Sequence, residues 1–126
     1  NTILGKKDYM RYHANPSVIY TMPEVASVGL SEEQCEDQEL EYRVVKTNFL
    51  ANGKAITMNE PDGLCKIIVD NNTNRIIGCH IMGIHASDLI AEVTALMNID
   101  ATIDDMQQII HPHPSLCEIF QETINK

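Results

Sequence analysis

The chain has 126 residues, 44% of them hydrophobic, with a formal net charge of −9. That is one domain with material for a real core, unlike the sparse, charge-rich composition of disordered chains. The acidic balance argues against nucleic acid or an anionic membrane as partner, and no apolar run approaches the roughly 18 residues a membrane helix requires. The chain begins at Asn1 rather than Met and shows no signal-peptide pattern, so it is expected to be a piece of a longer protein.

Residues 1–14 read as polar and aperiodic, a linker or the end of a preceding segment, and 15–126 read as the domain. Residues 18–21 are short and β-branched, a strand interrupted by Pro23, and 24–30 make a second. Ser31-x-x-Gln34 is a capping-box pattern that opens a short helix. The acids of residues 31–41 fit a solvated face. Residues 42–49 alternate apolar and polar as a half-buried strand does, and Asn52-Gly53 reads as a turn.

Two apolar runs, 64–69 and 75–83, flank the Asn-rich 70–74 and predict a hairpin. A helix from Ala86 or Ser87 places Leu89, Ile90, Val93, Leu96 and Met97 on one face. Thr102-x-x-Asp105 opens a short helix to Ile110, and a last helix runs from about Ser115 to the end. Strands followed by helices predict an α+β domain, an antiparallel sheet with helices on one face.

Cys35, Cys65, Cys79 and Cys117 form no C-x-x-C and read as reduced thiols. Gly78 and Gly83 have the wrong spacing for a phosphate loop and lie in a strand-like run. His80 reads as a polar-face or satisfied core residue, His85 as a helix-entry residue, and His13 carries no signal.

The chemistry concentrates in His111-Pro112-His113-Pro114-Ser115-Leu116-Cys117-Glu118. Histidine is the side chain suited to moving protons near neutral pH. In one helix His113 and Glu118 would stand about 140° apart. Pro114 disfavours α backbone in His113, so the pair can meet across the helix start, with His113 outside it. A second reading stands beside this one. Ser115-x-x-Glu118 is itself a capping box, in which Glu118 only closes the helix end. His111-x-His113 has metal-ligand spacing, but no further ligands follow at a recognisable interval, so no metal is expected.

Four segments in order, 20–32, Ala51-Asn52-Gly53-Lys54-Ala55, 76–83 and the closing His-Pro-His-Pro-Ser-Leu-Cys-Glu, resemble the C-terminal interface domain of the pyridine nucleotide–disulfide oxidoreductases. The likeness spans nearly all of 15–126 and is strongest to the dihydrolipoamide dehydrogenase branch. That branch usually ends His-Ala-His-Pro-Thr-Leu-Ser-Glu; Pro112, Ser115 and Cys117 depart from it, and His113, Pro114, Leu116 and Glu118 match.

The resemblance implies a five-stranded antiparallel sheet with flanking helices. It implies a homodimer in which His113 is the general base and Glu118 its orienter, facing the disulfide and flavin of the other subunit. It implies a bent, cis His113–Pro114 bond, with the backbone of His113 and Pro114 toward that flavin. FAD and NAD would be bound mainly by segments absent here, so the chain alone should hold neither and be inactive. The implied partner is a lipoyl-bearing 2-oxo acid dehydrogenase complex, and the implied compartment the cytoplasm, or the mitochondrial matrix in a eukaryote. A glutathione-reductase-like enzyme, with a similar His-Pro-x-x-x-Glu ending, is the alternative, as is a purely structural dimerisation module.

Overall fold

The computed structural model describes residues 2–125. Strands β1 (Ser17–Ile19), β2 (Glu24–Gly29), β3 (Tyr42–Asn48), β4 (Leu64–Asp70) and β5 (Ile76–Gly83) form one sheet. Every pairing is antiparallel, and the spatial order is β1-β2-β5-β4-β3. The five strands and their sense agree with the expectation.

Alternation selects the core face. In β4, Cys65 and Ile67 point into the core and Lys66 points away. Cys79 and Ile81 of β5 and Ala26 and Val28 of β2 continue the same face. Helix α3 (Ala86–Asn98) covers it with Leu89, Ile90, Val93 and Met97. Phe49, Met106 from α4 (Ile103–Gln107), and Ile119 and Phe120 from α5 (Ile119–Ile124) complete it. Phe49 and Phe120 are fully buried. Each such side chain contributes roughly 1.5–3 kcal/mol by leaving water, and truncation of either to Ala should cost about 3–5 kcal/mol.

The expectation of helices on one face is corrected by α1 (Glu32–Asp37). After Gly29 the chain folds over the opposite face. The Leu30 carbonyl accepts from His80 Nε2 at 3.0 Å and occupies the space where a Cβ on Gly78 would stand. Glu32 then meets Lys66 Nζ at 2.6 Å. His80 and Lys66 are polar residues of that far face, and they give this turn and helix their partners. Part of the face away from α1 is open. Ile19, Val25, Met82 and Leu64 stand in register across four strands, each at least 36% exposed.

Three local readings also change. Asn52 does not sit in a turn: it is the buried N-cap of α2 (Gly53–Thr57), its Oδ1 accepting from the Ala55 amide at 3.0 Å. Helix α4 ends at Gln107, three residues short of Ile110, which is exposed. The last helix enters through a 3₁₀ turn, Leu116–Glu118, before α5.

The leading residues are not wholly aperiodic. Thr2–Leu4 and Tyr12–Ala14 are 3₁₀ turns, and Ala14 is buried. Arg11 pairs with Asp100 at 3.2 Å, and His13 Nε2 donates to the Met97 carbonyl at 3.3 Å, close to the C-terminal end of α3. Basic side chains suit that end of a helix.

Candidate active site

His113 stands in the chain before Pro114, and its peptide bond to Pro114 is cis, as the resemblance implied. Its Nδ1 donates to Glu118 Oε1 at 2.8 Å. The other oxygen of the same carboxylate, Oε2, accepts from the Ser115 amide at 2.9 Å. The two readings of Glu118 therefore coexist. One oxygen closes the helix start and the other orients the imidazole.

The electrostatics follow from this geometry. The Ser115 N–H, then the hydrogen bond from His113, hold the Glu118 carboxyl below its ordinary value of 4.5, with the neighbouring His113 and His111 charges adding to the effect. Glu118 is thus a carboxylate at neutral pH, acceptor-only, and fixes the proton on Nδ1. In the neutral imidazole this leaves the lone pair on Nε2. The His113 side chain is 80% exposed while that of Glu118 is 24% exposed. A fixed, shielded carboxylate holds an imidazole presented outward.

His111 takes the opposite course. Its side chain is only 4% exposed, its Nε2 lies 2.7 Å from Glu92 Oε1 of α3, and its ring leans on Phe120 with centroids 6.3 Å apart. The two histidines of the H-x-H pair thus serve different surroundings. Among the described residues no three His, Cys, Asp or Glu side chains gather as a metal site.

Two supports were not legible in the sequence. Asn52 Nδ2 donates to the Ser115 carbonyl at 3.2 Å and the Leu116 carbonyl at 3.4 Å, tying α2 to the motif. Its signal was the Ala51–Ala55 segment, which marked the resemblance but offered no role. Gln121 of α5 donates through Nε2 to the Ile109 carbonyl at 2.8 Å, holding the chain that enters the motif. No pattern in the sequence announces it. Cys117 Sγ lies 3.0 Å from Ser115 Oγ, and all four cysteines are free thiols.

The fold and the His–Glu pair define an α+β domain that presents an outward-facing imidazole held by a carboxylate. Comparison with known proteins makes this specific. Residues 15–124 match the family described as pyridine nucleotide-disulphide oxidoreductase, dimerisation domain. The chain belongs to that family. It is 42% identical over 120 residues to a mitochondrial dihydrolipoyl dehydrogenase of Caenorhabditis elegans, covering 95% of this chain and 24% of the relative. It is 43% identical over 121 residues to a dihydrolipoyl dehydrogenase of Chlamydia trachomatis, covering 96% of this chain and 26% of the relative. The chain therefore spans about a quarter of the length of these relatives.

Among solved structures, the HOCl-induced flavoprotein disulfide reductase RclA of Escherichia coli superposes with a TM-score of 0.85 at 27% identity, over 88% of this chain and 26% of that one. LpdA of Mycobacterium tuberculosis superposes with a TM-score of 0.89 at 22% identity, over 98% of this chain and 27% of that one, a likeness of fold.

Proposed function

We propose that this chain is the dimerisation domain of a flavin-dependent dithiol oxidoreductase of the dihydrolipoamide dehydrogenase type, and that it supplies His113 and Glu118 as the acid–base pair for oxidation of a dihydrolipoyl dithiol. The observation behind this reading is the 2.8 Å His113–Glu118 bond with the imidazole edge turned to solvent. The difficult step for a side chain is to make the attacking thiolate. Nε2 of His113 takes the proton from the substrate thiol. The thiolate sulfur then bonds to one sulfur of a disulfide outside this chain, and the other sulfur leaves as a thiolate. Nδ1–H stays on Glu118, whose negative charge stabilises the imidazolium formed.

Among the described residues we find no glycine-rich loop that would cradle FAD or NAD. Gly78 and Gly83 serve packing, under the Leu30 carbonyl and against the Phe49 ring, and offer no loop of free amides. In our reading other segments of the full protein would hold both, and bound there they would take up the two electrons that the substrate dithiol gives up. We place His113 against a second copy's disulfide and flavin, with the His113–Pro114 backbone toward that flavin, so the chain alone should be inactive. The open row Ile19–Val25–Met82–Leu64 supports a domain that is covered in the whole protein. A lipoyl-bearing 2-oxo acid dehydrogenase complex is the proposed client, in the cytoplasm or mitochondrial matrix.

The test is His113→Gln in the full-length enzyme. Turnover with dihydrolipoamide should fall roughly 10²–10⁴-fold, the usual scale for a general base. Wild-type turnover would remove His113 from the chemistry.

A further inference from the structure

We propose that Glu92 of α3 is a positioning residue for His113, acting through His111; the inference rests on the reading of His113 as the base. Pro112 and Pro114 have no N–H, so neither can donate a backbone hydrogen bond to anchor this stretch. Side chains take a correspondingly larger share in holding it. On the α3 side the holder is His111, nearly buried against Phe120, with Nε2 at 2.7 Å from Glu92 Oε1. Its other ring nitrogen, Nδ1, is buried and meets no hydrogen-bond partner among the described residues. Glu92 is therefore the polar contact that makes the inward pose of the ring tolerable. Without it both nitrogens are stranded in a nearly dry site, which costs more than returning the ring to water. His111 lies two residues before His113, so a ring that swings out carries the backbone of the base with it.

The contact also links layers. Glu92 belongs to the helix that covers β2 and β5, and Phe120 to the helix that follows the motif. The pose of the exposed imidazole is thereby referred to the core rather than to its own loop.

The experiment uses the full-length flavoenzyme and compares two ways of reducing the flavin, by dihydrolipoamide and by NADH, in stopped-flow on the same samples. Only the first draws on His113. In Glu92→Ala the ratio of dithiol-driven to NADH-driven rate should fall roughly 10–100-fold, the scale on which lost support or misplacement affects a reacting group. Glu92→Gln, which keeps an acceptor oxygen in place, should recover the ratio to within about threefold. His111→Phe keeps the ring packing and strands no ring nitrogen, so its ring should stay inward and its ratio should lie within about threefold of wild type. The double variant should be no worse than either single one, because no ring nitrogen is left for Glu92 to partner. An unchanged ratio in Glu92→Ala overturns the proposal. So does a parallel fall of both rates, a Gln variant as poor as Ala, or additive losses in the double variant. His113→Gln is run alongside. If it keeps the wild-type ratio, the base reading fails. If its ratio falls and that of Glu92→Ala does not, only the positioning role fails.

Discussion

The side-chain amide of Asn52 donates to the backbone carbonyl of Ser115, 3.2 Å away, and joins the start of α2 to the motif that carries His113. Asn52 is fully buried and uses both ends of its amide, Oδ1 as the cap of Ala55 and Nδ2 on Ser115 and Leu116. Asn52→Ala should destabilise the protein by about 2–4 kcal/mol, through a lost cap and the lost Nδ2 bonds to Ser115 and Leu116. Asn52→Asp keeps the cap but faces a charge toward carbonyl oxygens, so it should be worse than Ala. Denaturant midpoints should run wild type, Ala, Asp in falling order. An Asp variant as stable as wild type would show that the Nδ2 bonds contribute nothing.

His113 and Glu118 should separate in a joint measurement of turnover and stability. The exposed imidazole contributes little packing, so His113→Gln should lower turnover and leave the denaturant midpoint in place. Glu118→Ala removes both the orienter and the acceptor of the Ser115 amide, and should lower both quantities. A Glu118→Ala enzyme with a lower midpoint and full turnover would leave capping as its whole role.

Acid should destabilise the domain through a defined set of carboxyls. Glu24 is held low chiefly by the Ser87 N–H, Glu32 by Lys66, Asp70 by the Asn72 N–H, Asp105 by Thr102 and Glu118 by the Ser115 N–H. Their ordinary values are 4.5 for Glu and 3.8 for Asp. Each folded value lies below its unfolded one, so the unfolded chain binds more protons in the interval between them. Stability then rises with pH there. The contribution is complete above about pH 5 and is lost as pH falls through 4 and below. Denaturant midpoints at several pH values between 7 and 3 check this. A midpoint that climbs on acidification from 5 to 3.5 would contradict it.

Two glycines make a matched pair. A Cβ on Gly78 would stand 2.1 Å from the Leu30 carbonyl oxygen, a backbone atom that cannot swing aside, whereas a Cβ on Gly53 meets nothing within 4 Å. Gly78→Ala should cost about 2–3 kcal/mol by forcing the β2 exit off the sheet. Gly53→Ala, inside α2, should be neutral or stabilising by about 0.4–1 kcal/mol. Thermal unfolding of both variants decides it, and equal midpoints would refute the close contact at Gly78.

Local grammar was legible in the sequence, and distant partners were not. Ser31 with Gln34 and Thr102 with Asp105 form the capping boxes their spacing announces. The X-Pro rule keeps His113 outside the helix, where it meets Glu118. Period-two alternation, however, says only that a strand has two faces. It does not say that α1 returns over the far one, because that depends on Leu30 meeting His80 and Gly78. Asn52 looked like a turn residue because Asn favours turns and helix caps alike, and its second role depends on residues much later in the chain. The H-x-H spacing relates His111 only to His113, as metal ligands are spaced. The actual partner of His111, Glu92, sits on another element, and no spacing rule relates the two.

The strand order also governs when the domain can assemble. β3, β4 and β5 pair with sequence neighbours, but the β1–β2 hairpin docks only on β5, with Glu24 opposite Gly83. The hairpin emerges first and waits for the last strand, so sheet completion requires closing a long loop, a slow kind of event. α3 follows that strand at once and seals the same seam. On a ribosome, the central seam and the helix that bears Glu92 would come together late and almost simultaneously, with the segment that carries His113 close behind them in the chain.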